Sequence, residues 1–177
     1  DWREDEGGVR VAAGARREAE VGVGRLKRRV NLKCFMETVM EAKVTSLVIP
    51  DHGDDRGNLI ALEGMSEIVP FEIKRVYYSF DTQPGSVRGN HAHKNLQQLV
   101  ICLSGACTFV CEMPDGTRTE HVLDWPNRGL LVEGMVWREI KNFSKDCVMM
   151  VLASEHYNEA DYIRDYQQFL KEVGRVK

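Results

Sequence analysis

From Val44 onward the apolar positions fall in short runs separated by turn residues. "VTSLVI", "NLIALE", "IKRVYYSF", "QQLVICL", "ACTFVCEM", "TRTEHVL", "GLLVE", "VWREIK" and "CVMMVLA" are rich in Val, Ile, Leu, Tyr and Phe, and each has strand length. So many short strands predict an all-β domain, a sandwich or small antiparallel barrel. "PDG" at Pro114 to Gly116 predicts a tight turn between two of them, because Pro presets one turn dihedral and Gly accepts a positive one.

Near the C-terminus the period changes. Tyr162, Ile163, Tyr166, Phe169 and Leu170 recur at three- and four-residue spacing, which predicts one closing helix capped by Asn158. Its stripe should pack on the barrel exterior or on a partner subunit. Residues 1–39 show no sustained stripe and are rich in Gly, Ala, Arg and Glu, so they read as a disordered extension to a domain at 40–177. Met36 and Met40 stand as alternative natural starts.

Composition narrows the compartment and the partners. A chain of 177 residues suits one domain that needs no staples. The five cysteines, Cys34, Cys102, Cys107, Cys111 and Cys147, form no CxxC pair, and three lie in apolar runs where Cys packs as a small hydrophobe. That usage points to a reducing cytoplasm. No apolar run reaches membrane-span length, and no charged-then-apolar leader opens the chain. Residues 1–35 carry nine Lys or Arg against six Asp or Glu, while the rest carry 15 against 21. No aromatic residue interleaves the basic tract "GRLKRRVNLK", so it reads as a solvated tail and neither a nucleic-acid nor a membrane partner is expected.

The chemistry concentrates in "GSVRGNHAHKNLQQLVICLSG". Residues i and i+2 of a strand share a face, so His91 and His93 point into one place, with Arg88 just upstream. Gly85, His91-Ala-His93, Gln98 and Gly105 reproduce the spacing G-x5-HxH-x4-E-x6-G of the first cupin motif, except that Gln98 replaces the metal-binding Glu. In "WREIKN", Asn142 keeps its place in the second motif but Arg138 stands where a histidine ligand belongs. An amide is a poor ligand for a cation and a guanidinium repels one, so no metal is expected. Two imidazoles beside guanidiniums and phenols can instead move protons near neutral pH and hold an anionic substrate.

Together with "DDRGNLIALE", "IKRVYYSF", "GLLVEGMVWREIKNFSKDCVMMVLAS" and "YNEADYIRDYQQFL", these motifs resemble the cupin-type dTDP-4-keto-6-deoxyglucose 3,4-ketoisomerases over roughly Val44 to Leu170. The resemblance implies a jelly-roll-like cupin barrel, a homodimer, a dTDP-linked keto sugar as substrate, and no metal or organic cofactor. The reaction would move the keto group from carbon 4 to carbon 3 through an enediol. By motif position His91 is the carbon-proton base and His93 the shuttle, with the reverse assignment left open. Tyr77 either polarises an oxygen or packs in the core. Arg56 and Arg88, beside glycines in turn-like segments, are candidates for the pyrophosphate. Arg138 is a third cation or a structural partner of Glu139 or Asp124. Trp137, Gln98 and Asn142 complete the expected substrate-binding set, Trp137 with a core position as its alternative. Competing readings are a 3,5-epimerase, which typically pairs one His with Asp, a metal-dependent cupin, and a non-catalytic sugar-nucleotide-binding cupin.

Overall fold

The computed structural model describes residues 40–177, so the expected extension at 1–39 and the basic tract lie outside the described residues. Ten strands and one helix follow in order. They are β1 (Lys43–Val48), β2 (Arg75–Ser79), β3 (Arg88–His93), β4 (Gln98–Ser104), β5 (Cys107–Glu112), β6 (Arg118–Leu123), β7 (Arg128–Glu133), β8 (Trp137–Lys141), β9 (Val148–Ala153), β10 (Tyr162–Ile163) and α1 (Tyr166–Glu172). They build two five-stranded sheets, ordered β1-β7-β4-β9-β2 and β10-β3-β8-β5-β6, and the strand pairs are antiparallel.

Alternation along each strand sorts the side chains. On β4, Val100 and Cys102 join the core between the sheets, while Leu99 and Ile101 face outward. The central core also takes Phe109 and Cys107 from β5, Leu130 and Val132 from β7, Ile140 from β8, and Met149 and Val151 from β9. Outer faces are covered as well, which is why β4 and β5 read as nearly continuous apolar runs rather than alternating ones.

Two expected elements differ. "NLIALE" at 58–63 forms no strand; it belongs to a long connection whose Ile60 and Leu62 pack with Ile68 and Phe71 over Leu99, Ile101 and Leu152 on the outside of the first sheet. Its alternating apolar positions reflect docking onto a sheet, and only the pairing is missing. The expected closing helix is divided. Asn158 caps a single 3-10 turn, Glu159–Asp161, and Tyr162 and Ile163 then pair with His93 and Ala92. The α-helix itself starts after Asp165, whose carboxylate accepts from the Gln168 amide at 2.7 Å. Phe169 is fully buried against Ala92, Trp137 and Ile163, so α1 closes the outer face of the second sheet. The "PDG" turn forms as expected, with Met113 N–H bonded to Thr117 O at 2.9 Å and Gly116 at φ 92°.

Candidate active site

A glycine bulge sets up the site. β3 pairs with β8, and the register shifts between Gly89 and His91, where Gly89 and Asn90 adopt φ of 82° and 53°. A Cβ on Gly89 would sit 2.7 Å from the Arg138 carbonyl oxygen, so only glycine lets the strands approach here. Past the bulge, His91 lies directly opposite Arg138.

The two histidines meet as the period-two argument requires. Their ring centroids are 4.8 Å apart and the rings are perpendicular. His91 lines a cavity of about 440 Å³, whereas His93 is 0 % exposed behind it. His91 Nδ1 lies 2.9 Å from the Gly89 carbonyl oxygen; a carbonyl only accepts, so Nδ1 carries the hydrogen and Nε2 keeps its lone pair. His93 Nδ1 donates in the same way to Asp161 Oδ2 at 2.8 Å. His93 Nε2 is buried and unpartnered. Burial first, then the Arg138 guanidinium, pushes His91 down to about 4. Burial first, then the Arg138 guanidinium, also push His93 far below the ordinary imidazole range. Both rings are therefore neutral at pH 7.

Arg138 is 2 % exposed and pairs with neither Glu139 nor Asp124, which instead contact Arg118 and Arg128. It donates to the Val136 carbonyl at 3.1 Å and to Gln98 Oε1. Because arginine has no acceptor, the amide oxygen of Gln98 must face it, and Gln98 Nε2 then donates to the Tyr77 hydroxyl at 2.6 Å. The Tyr77 oxygen thus accepts internally and its own proton is free for a ligand. Burial raises its pKa, so it stays protonated. Tyr77, Arg88, Gln98 and Arg138 all line the cavity with His91. Arg88 is held by a 3.2 Å bond to Thr82 Oγ1.

Three expected contributors are not brought to this cavity. Trp137 points the other way from Arg138, as neighbours on a strand must, and packs edge-on against Tyr166 at 5.1 Å beneath α1. Asn142, at φ 55°, ends β8 with a 3.3 Å bond to Thr108 Oγ1. Arg56 is bonded to Asp54 in its own exposed turn. Tyr162, Arg164 and Asp161 were not among the expected site residues. Tyr162 and Arg164 line the cavity, the Tyr162 ring lies 4.2 Å from His93, and Arg164 stacks over it at 4.3 Å while paired with Glu159. All three sit in the segment expected to be helical, and its pairing with β3 is what carries them there. A larger cavity of about 520 Å³, lined by Asp51, Trp125 and Asn127 among others, contains no histidine, arginine or tyrosine.

These features define a cupin-like barrel whose mouth holds neutral imidazoles and guanidiniums where other cupins hold a metal. Residues 42–174 match the family described as "FdtA: WxcM-like, C-terminal". The chain is 49% identical over 124 residues to the TDP-4-oxo-6-deoxy-alpha-D-glucose-3,4-oxoisomerase of Aneurinibacillus thermoaerophilus, spanning 70% of this chain and 87% of that protein. Among solved structures it matches a 3,4-ketoisomerase from Helicobacter canadensis at 45% identity and TM-score 0.70, covering 73% of this chain and 96% of the other. A sugar 3,4-ketoisomerase from Thermoanaerobacterium thermosaccharolyticum in complex with TDP matches at 40% identity and TM-score 0.70, covering 73% and 93%. The chain belongs to the FdtA-like family of sugar 3,4-ketoisomerases and is an isomerase.

Proposed function

We propose that this chain converts TDP-4-keto-6-deoxyglucose to its 3-keto isomer, with His91 as the carbon-proton base. The observation that carries the reading is the pair of neutral imidazoles, one lining the cavity with a free Nε2 lone pair and the other buried directly behind it. His91 removes the proton on carbon 3, and the C–H electron pair becomes the new C3–C4 double bond. The carbon-4 oxygen takes the Tyr77 proton, giving the enediol. In return, His91 delivers its proton to carbon 4, and the carbon-3 hydroxyl proton passes through His93 back to the Tyr77 oxygen. Every catalytic group ends as it began.

Asp161 holds the His93 tautomer, and Arg138 keeps both rings in the basic form while fixing Gln98 and Tyr77. Arg88 and Arg164 supply positive charge for the pyrophosphate at the cavity edge. A buried guanidinium beside His91 does not fit a cation site, so the reaction proceeds without a metal. We also assign a cytoplasmic homodimer with neither nucleic acid nor membrane as partner. β2 ends the first sheet and leaves an unpaired edge there, and no helix among the described residues is long and apolar enough to cross a membrane. Sedimentation should give twice the chain mass.

Incubation with TDP-4-keto-6-deoxyglucose in deuterated water, followed by NMR, tests the reading. A 3-keto product supports it, with deuterium at carbon 4 to the extent that the proton on His91 exchanges with solvent before delivery. The His93–Asp161 pair favours one second reading, 3,5-epimerisation, which would leave a 4-keto product carrying deuterium at carbons 3 and 5.

A further inference from the structure

Beneath the cavity floor lies a cluster that the isomerisation does not use. Val100, Phe109 and Met149 line the cavity. Cys102, Cys107 and Cys147 each sit two residues deeper along the same chain, on the same inward face. Their sulfur atoms lie within 4.8 Å of one another, and Cys102 and Cys147 are 3.7 Å apart. Three metal–sulfur bonds of ~2.3 Å in a trigonal or tetrahedral arrangement place the sulfurs ~3.8 to 4.0 Å apart, so the cluster needs only a small contraction to close on an ion. Exposures of 0 %, 1 % and 2 % leave the three sulfurs little contact with competing water.

Access is also built in. A surface cleft of about 440 Å³, walled by Tyr78, Phe80 and Val148, reaches Cys147, and Asp81 and Asp146 line it with one lysine, Lys145. Two carboxylates against one ammonium make its mouth favourable to cations.

We propose that Cys102, Cys107 and Cys147 form a binding site for a soft, thiophilic metal ion, entered through the Cys147 cleft beneath the floor of the catalytic cavity. A divalent ion binds as two of the thiols release their protons to solvent and coordinate as thiolates, while the third sulfur coordinates as a thiol. The buried complex is then neutral overall, as an apolar interior demands. The ion links the two sheets, because β4, and β9 just after Cys147, belong to one sheet and β5 to the other. Soft thiolate donors select ions of the cadmium, copper(I) or zinc class over magnesium or calcium. The site is independent of the substrate reading.

The test uses the full chain, reduced with a phosphine and titrated with cadmium chloride. Expected are one cadmium per chain, a thiolate-to-cadmium charge-transfer band, release of two protons, and a cadmium-113 NMR shift typical of sulfur coordination, with the fold retained by circular dichroism. Cys107→Ser and Cys147→Ser should each weaken binding by more than about 100-fold, beyond the range seen for loss of a supporting group. Cys34→Ser and Cys111→Ser should leave it unchanged. Absence of a sulfur-type cadmium signal in the folded unmodified chain overturns the proposal even if the serine variants fail to fold. Binding that persists in Cys107→Ser and Cys147→Ser, or disappears in Cys34→Ser, overturns it as well.

Discussion

Acid should unfold this protein through its histidines before its carboxylates matter. His91 is held at about 4 and His93 lower still, against an ordinary value near 6.5 in the unfolded chain. A group with a depressed folded pKa takes up its proton preferentially when unfolded, so its contribution is present above ~6.5 and is lost as pH falls toward the folded value. Between pH 7 and pH 5 each ring therefore costs about 2 kcal/mol, and the pair about 4 kcal/mol. Urea unfolding at the two pH values measures this directly. His91→Asn should retain only the His93 half, about 2 kcal/mol. The same neutrality places the acid limb of kcat/KM near the folded value of about 4 instead of the ordinary 6.5. Equal losses in the parent and in His91→Asn would mean that His91 titrates in the fold as it does in the unfolded chain, and the assignment of a depressed, neutral base would fail.

Other outcomes follow from single contacts. Gly89→Ala must place a methyl 2.7 Å from a backbone oxygen at φ 82°, so it should cost at least the ~1–2 kcal/mol of a left-handed residue and lower kcat by displacing His91. Trp137→Ala should cost about 3–5 kcal/mol in stability by uncovering α1, which thermal melts report, with KM little changed. Arg88→Met should raise KM with kcat nearly intact if it holds the pyrophosphate, a split that steady-state kinetics separates. Turnover should survive chelation, and activity restored only by zinc, iron or manganese would refute the metal-free reading.

The parts of the site carried by local spacing were legible. HxH on a strand had to present two imidazoles to one face, and the substitutions at Gln98 and Arg138 announced a cavity without its usual ligands. That these two side chains bond each other follows from their sharing one vacated site, although the sequence reading treated them separately. Trp137 was readable too: once Arg138 faces inward, strand alternation sends its neighbour outward. What could not be read was long range. Asp161 reaches His93 across 68 residues because Tyr162 and Ile163 pair with β3, and the apolar spacing of that segment suits a helix equally well. The 58–63 segment shows the same limit in another form, since docking on a sheet and joining it leave similar apolar patterns.

Exchange of the carbon-3 hydrogen of TDP-4-keto-6-deoxyglucose with deuterated water, followed by NMR in His91→Asn and His93→Asn, tests the central assignment most directly. His91→Asn should lose both turnover and exchange, because the base lining the cavity is gone. His93→Asn should slow net isomerisation yet keep measurable exchange, since the enediol still forms and reverses. Exchange kept in His91→Asn and lost in His93→Asn would invert the two roles, and exchange kept in both would remove the pair from the chemistry.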